Sequence, residues 1–191
     1  MSKTPLLLAL LSLLVPAPAL VAGPPEGPSG QQVQDAVPAL QDEVKRLEKE
    51  VARDKWLAEE LDVARARLAA AQGRMGEART SWKKLITARE ERLAWLEAAV
   101  RKWLDCDPAD ITICRGYVAE ARCGLAEVEG DRVALARELP KVIDSREARL
   151  AQLRRLLKAA AISPEKAEQE EKAILKELRQ ARQRLDAVKR R

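Results

Sequence analysis

Residues 37–51, VPALQDEVKRLEKEV, decide the fold. Taking Val37 as position a and Leu40 as position d of a heptad, Val44, Leu47 and Val51 fall on the same two positions. The pattern runs on through Leu61, Leu68, Met75, Trp82, Ile86, Leu93, Leu96, Val100 and Trp103. Large apolar residues fill 14 of the 20 a and d sites between 37 and 103, against five of the other 47 positions. That contrast marks a coiled-coil seam rather than a generic amphipathic surface. It predicts one helix over 35–104, a rod of about 100 Å at 1.5 Å per residue. The seam is weakest in the middle, where Arg65, Gln72 and Arg79 stand at a and Gly73 and Gly76 lie nearby. Because the heptad phase continues across this stretch, the reading here is a flexible waist, with a hairpin turn at 73–76 as the alternative. Alanines at the flanking positions (Ala64, Ala69, Ala71, Ala78 and Ala99) favour antiparallel arms or a bundle over a parallel dimer. Trp56 and Trp95 lie off the seam; cover by another helix is the ordinary explanation, and an exposed contact for a partner is the functional one.

Past the seam, the segment 105–116 (DCDPADITICRG) carries a helix-start signal, Asp107 as cap and Pro108 at the first helical position. Its β-branched Ile111, Thr112 and Ile113 and the following Gly116 point to a compact tip where the chain reverses. A return helix is expected over 117–161, with interruptions near Gly130 and Pro140. A final basic helix is expected over 164–191, capped by Ser163. The two return segments together match the length of the outgoing arm. The sequence therefore predicts an all-α protein: an elongated coiled-coil helical hairpin with a long outgoing helix and a broken return arm. A three-helix bundle is the alternative.

Upstream, residues 1–22 read as a signal peptide: Lys3, the apolar run Leu6 to Val15, and a small-residue tail suited to cleavage after Ala19 or Ala22. That run is shorter than the about 20 residues a membrane span needs, so no span is expected in the mature chain. Residues 23–34 read as a Pro/Gly-rich linker. Export, periplasmic or secreted and bacterial rather than eukaryotic, is the corresponding expectation for localisation.

The chemistry is limited by composition. There is no His, which removes the commonest general base and metal ligand, and 34% of residues are charged against 3% aromatic. A formal net charge of +5 is small beside 35 basic residues and is no nucleic-acid signature. Cys106, Cys114 and Cys123 are disulfide candidates in an exported chain, Cys106–Cys114 first and Cys106–Cys123 second. Without His or a fourth ligand they make neither a zinc site nor an activated nucleophile. The C-terminal cations Arg179, Arg182, Lys189 and Arg190 suit a helix C-terminus, or a weak contact with an anionic envelope surface. No phosphate loop or catalytic set is present, so neither a cofactor nor an enzyme is expected. The reading is an exported coiled-coil protein acting by helix–helix association with itself or a partner coiled coil, as a structural, scaffolding or adaptor component of the envelope. A periplasmic holdase-like chaperone is the alternative.

Overall fold

A computed structural model describes residues 30–51, 57–101 and 107–190, with side chains from residue 36 onward. The expectations placed on the signal peptide, on Trp56, on Trp103 and on Cys106 lie outside the described residues. The described chain is all-α, six helices and no strand: α1 (Gly30–Val51), α2 (Ala58–Ala71), α3 (Met75–Arg101), α4 (Pro108–Glu129), α5 (Arg132–Lys158) and α6 (Pro164–Lys189). No helix among them is long and apolar enough to cross a membrane.

Substantial helix–helix packing runs only between consecutive helices, α1 on α2, α2 on α3, and so on to α5 on α6. Cross-helix ion pairs give the sense of each hairpin. Glu59 near the start of α2 reaches Arg92 in the later half of α3, and Glu97 near the end of α3 reaches Arg115 early in α4. Asp107 at the start of α4 reaches Arg155 at the end of α5, and from Arg154–Glu171 to Glu147–Arg182 the numbering falls along α5 as it rises along α6. The result is a series of antiparallel helical hairpins laid side by side.

The expected single helix over 35–104 is therefore corrected to three helices, and the waist to a turn. After α2 the chain closes with the amide of Arg74 donating to the carbonyl of Ala69 (2.8 Å) and that of Gly73 to Ala70 (3.0 Å). This double bond pattern needs a left-handed residue, and Gly73 sits at φ +74°. The polar a positions Arg65, Gln72 and Arg79 flank this turn, and Met75 at d is left 43% exposed. The heptad phase survives because α2 and α3 each turn an apolar stripe to the same core, and the spacing across the turn happens to preserve it.

Downstream, the boundaries also move. The compact tip at 105–116 is helical from Pro108, with the Asp107 carboxylate accepting from the amide of Ala109 at 2.9 Å. Ile111 to Ile113 are carried in α4 by tertiary packing that outweighs their weak helix preference. Gly116 ends nothing: a Cβ there would lie 1.9 Å from Ser145 Cβ, so its missing side chain is what lets α4 and α5 cross closely. The return helix 117–161 is split by a second left-handed glycine, Gly130 (φ +70°), while Pro140 is accommodated inside α5. Residues 30–34 of the expected linker belong to α1.

The two hairpins α2–α3 and α4–α5 are copies of one unit. Gly73 and Gly130, Arg65 and Arg122, Leu68 and Leu125, Arg89 and Arg146, Arg92 and Arg149, and Leu96 and Leu153 are each 57 positions apart. The same offset carries Glu120 of α4 onto Glu177 of α6, so α6 is the first helix of a third unit. Stacked repeats of this kind share their cores with neighbours. Ala66, Trp82, Leu85 and Ala121 join α2, α3 and α4, and Ala119, Cys123, Leu139, Val142 and Ala181 join α4, α5 and α6. Where α4 turns Ile113, Gly116, Ala119 and Cys123 toward α5, the equivalent positions of α6 hold Glu170, Ala173, Lys176 and Gln180. That face of α6 is therefore more polar than its counterpart on α4.

Candidate functional site: an ionic chain through five helices

The repeated arginines and glutamates meet inside the molecule. Arg89 on α3 lies 3.5 Å from Glu59 of α2 and 3.9 Å from Glu120 of α4. Its Nη1 also donates to the Tyr117 carbonyl at 2.6 Å. Arg146 on α5 binds Glu120 at 3.2 Å and Glu177 of α6 at 2.6 Å. Both guanidiniums stand 5.7 Å from the centre of the Tyr117 ring. One charged residue from each of α2 to α6, alternating in sign, links five of the six helices. The Arg89–Glu120 link recurs as Arg146–Glu177 one unit later.

Burial sets the strength of these contacts. Arg146 is 4% exposed, and an unpaired cation at that depth would be strongly unfavourable. Burial by itself would raise the Glu120 carboxyl. Arg146, Arg89 and Arg67, with the Arg146 hydrogen bond, overcome that and bring it to about 2. Burial works to discharge Arg146, but Glu120 and Glu177 outweigh it and hold the guanidinium charged. Burial raises the Tyr117 phenol. Groups held this far from neutral do not trade protons near pH 7. They fasten helices in a fixed register, the use for which buried ionic groups are best attested.

A second feature lies over α4 between α3 and α5. An open groove of about 350 Å³ is floored by Leu93, Ala94 and Val118 and edged by charged side chains. Glu97 pairs with Arg115 at 2.7 Å and Glu90 with Arg122 at 2.6 Å. At one edge Glu138, 1% exposed, receives Arg137 at 2.8 Å and Lys141 at 2.9 Å. Burial acts to raise this carboxyl, and the hydrogen bonds from Lys141 and Arg137 lower it.

The residues singled out from sequence divide between these places. Leu40, Val44, Leu47, Leu61, Trp82 and Leu96 are buried, and Val37, Val51, Leu68, Ile86, Leu93 and Val100 are half-buried, all within one chain. Trp95 is 66% exposed on α3. Cys114 and Cys123 are free thiols on α4. Nine positions along one helix separate them by about 13 Å, beyond disulfide reach. Burial pushes the Cys123 thiol up to about 12. Of the C-terminal cations, Arg182 pairs with Glu147 at 2.7 Å, while Arg179, Lys189 and Arg190 are exposed. Among the described residues no group of three His, Cys, Asp or Glu side chains could hold a metal ion.

Sequence reasoning missed Glu120, Arg146, Arg149, Gln152 and Glu138, which are buried or half-buried polar groups on α4 and α5. Two signals pointed to them. Arg89 sits at a d position of the heptad, where a cation is out of place unless paired, and the 57-position offset repeats it as Arg146. In comparisons with protein-family models, with curated proteins and with solved structures, none matches this chain.

Proposed function

We propose that this chain is an exported, non-enzymatic adaptor or scaffold of the cell envelope, a rigid helical-repeat body that displays its lateral surface to a partner protein. The observation that carries this reading is where the apolar seam goes. Residues that a coiled coil would spend on self-association are spent between consecutive helices of the same chain, and the last helix turns a polar face outward. What remains for recognition is the α3–α4–α5 side, with its half-apolar groove. An apolar floor inside a charged rim is the ordinary anatomy of a protein interface. The ionic chain supports the role by holding the helices that shape that surface. The signal-like residues 1–22 support export, and Cys106 remains the candidate partner for Cys114 in an oxidising compartment.

A photo-reactive residue placed at Ala94 tests the reading in the producing cells, with Lys172 on α6 as the control position. A discrete cross-linked partner at the groove and none at Lys172 is the expected result. Equal labelling at both positions, or none at the groove, would remove the adaptor reading. Intact mass of the protein from the envelope fraction, expected to begin after Ala19 or Ala22, tests export separately.

A further inference from the structure

The charges around the α3–α4–α5 groove are layered, and the layering has a sign. On the α5 edge Arg137 and Lys141 both bond Glu138; their side chains are 67% and 46% exposed, against 1% for the carboxylate beneath them. Toward α3, Arg115 covers Glu97, 60% exposed against 28%. Only Glu90 is as open as the Arg122 that binds it. The other charges on these stretches do not alter the balance. Glu91, Arg92 and Arg101 on α3 and Asp144 on α5 are two of each sign and lie outside the lining, and Glu120 is taken up by the ionic chain. An approaching partner therefore meets cations first, with their carboxylates deeper. Those cations keep N–H donors in hand: Lys141 spends one on Glu138, and Arg115 gives only its Nε and one Nη2 hydrogen to Glu97.

We propose that the groove docks an acidic amphipathic helix of a partner protein. Its apolar stripe lies on Leu93, Ala94 and Val118, and its carboxylates meet Lys141, Arg137 and Arg115. This deepens the adaptor reading and rests on it, adding the chemistry of the partner. A helix is the form that fits. The groove runs between two helices and over a third, and among the described residues there is no strand edge to hold an extended peptide by its backbone. Arg115 and Arg122 stand seven positions apart on α4, about 10 Å or two helical turns, which matches an apolar set at i, i+3, i+4 and i+7. The volume of about 350 Å³ is at the small end of the roughly 300–1,000 Å³ that enclose a whole ligand. Open on one side, it suits a few side chains inserted from a partner. The rim pairs are half-exposed, so they select the sign of that partner more than they add affinity.

The test places a small diazirine side chain at Ala94 of the full chain in the producing cells and sequences the cross-linked segment by mass spectrometry. The expected segment carries acidic side chains at helical spacing beside an apolar stripe. Lys141→Glu should cut the cross-link yield by about fivefold or more, while Lys172→Glu, the same charge change on α6, leaves it unchanged. Arg115→Glu is the second variant, with the same expectation, if circular dichroism shows that Lys141→Glu loosens the fold through Glu138. A protein segment that is basic or uncharged, or a yield that ignores both substitutions, would overturn the acidic-helix proposal and leave the adaptor reading standing. A lipid adduct, a second copy of this chain, or no adduct at all would remove both.

Discussion

Replacing Arg146 with Met removes the central cation of the ionic chain while keeping most of the side-chain volume. Glu177, at 2.6 Å, then loses its cation and Glu120, at 3.2 Å, keeps only Arg89 at 3.9 Å, in a place where Arg146 itself is only 4% exposed. Stranding a buried partner costs about 3–5 kcal/mol in proteins generally. The titration of Glu120 gives an independent figure. Its descent from 4.5 to about 2 on folding corresponds to about 3 kcal/mol at 1.36 kcal/mol per unit, shared among Arg146, Arg89 and Arg67. Because the folded-state value is the lower one, this stability is present above about pH 4.5 and disappears as the pH falls through about 2. Urea unfolding followed by circular dichroism at pH 7 and pH 3 measures both quantities. The expected result for Arg146→Met is a loss of about 3 kcal/mol at pH 7 and a smaller loss at pH 3, where Glu120, relieved of Arg146, can take up a proton. Arg146→Lys, which keeps the charge but cannot serve both carboxylates as a planar fork, should lose about half as much. A loss below about 1 kcal/mol at pH 7, or one that is the same at both pH values, would refute the reasoning.

Three further outcomes follow from the packing. Gly116→Ala drives a methyl into Ser145, whose Cβ cannot swing aside, and is expected to cost about 3 kcal/mol in the same unfolding assay; a neutral result would mean that α4 and α5 do not cross there. Ala160, at φ +52°, closes α5 with the bond pattern that Gly73 and Gly130 close elsewhere, the Ala161 amide donating to Leu156 at 2.9 Å. Ala160→Gly should therefore stabilise the chain by about 0.5–1 kcal/mol, measured as a rise in Tm, and a fall in Tm would contradict the left-handed geometry. The Cys123 thiol, buried and pushed up to about 12, should resist alkylation at pH 8 in the folded, reduced protein while Cys114 reacts slowly. Rapid labelling of Cys123 would place it at the surface instead.

The class of the fold was legible in the seam, since an apolar residue every third or fourth position admits only helices that bury one stripe. The caps at Asp107 and Ser163 were legible for a local reason: each side chain bonds an amide two or three residues away. What the seam could not reveal was its partner. A stripe from Val37 to Trp103 is equally consistent with one rod facing another chain and with three short helices facing one another. The deciding residue, Gly73, acts through backbone geometry that heptad counting does not weigh. Of the ionic chain, only the misplaced Arg89 and Arg146 were visible. Their carboxylate partners are ordinary surface residues by sequence, and become partners only when helices distant along the chain are laid together.

The central claim is that α2 and α3 form a hairpin within one chain. Spin labels at Ala58 and Glu91, level with each other across that hairpin, measure it directly when the labelled protein is diluted with unlabelled chain. A hairpin gives a separation below about 20 Å, as for adjacent helices with axes about 10 Å apart. A continuous helix would put the 33 intervening steps at about 50 Å, and a distance near that value would contradict the account.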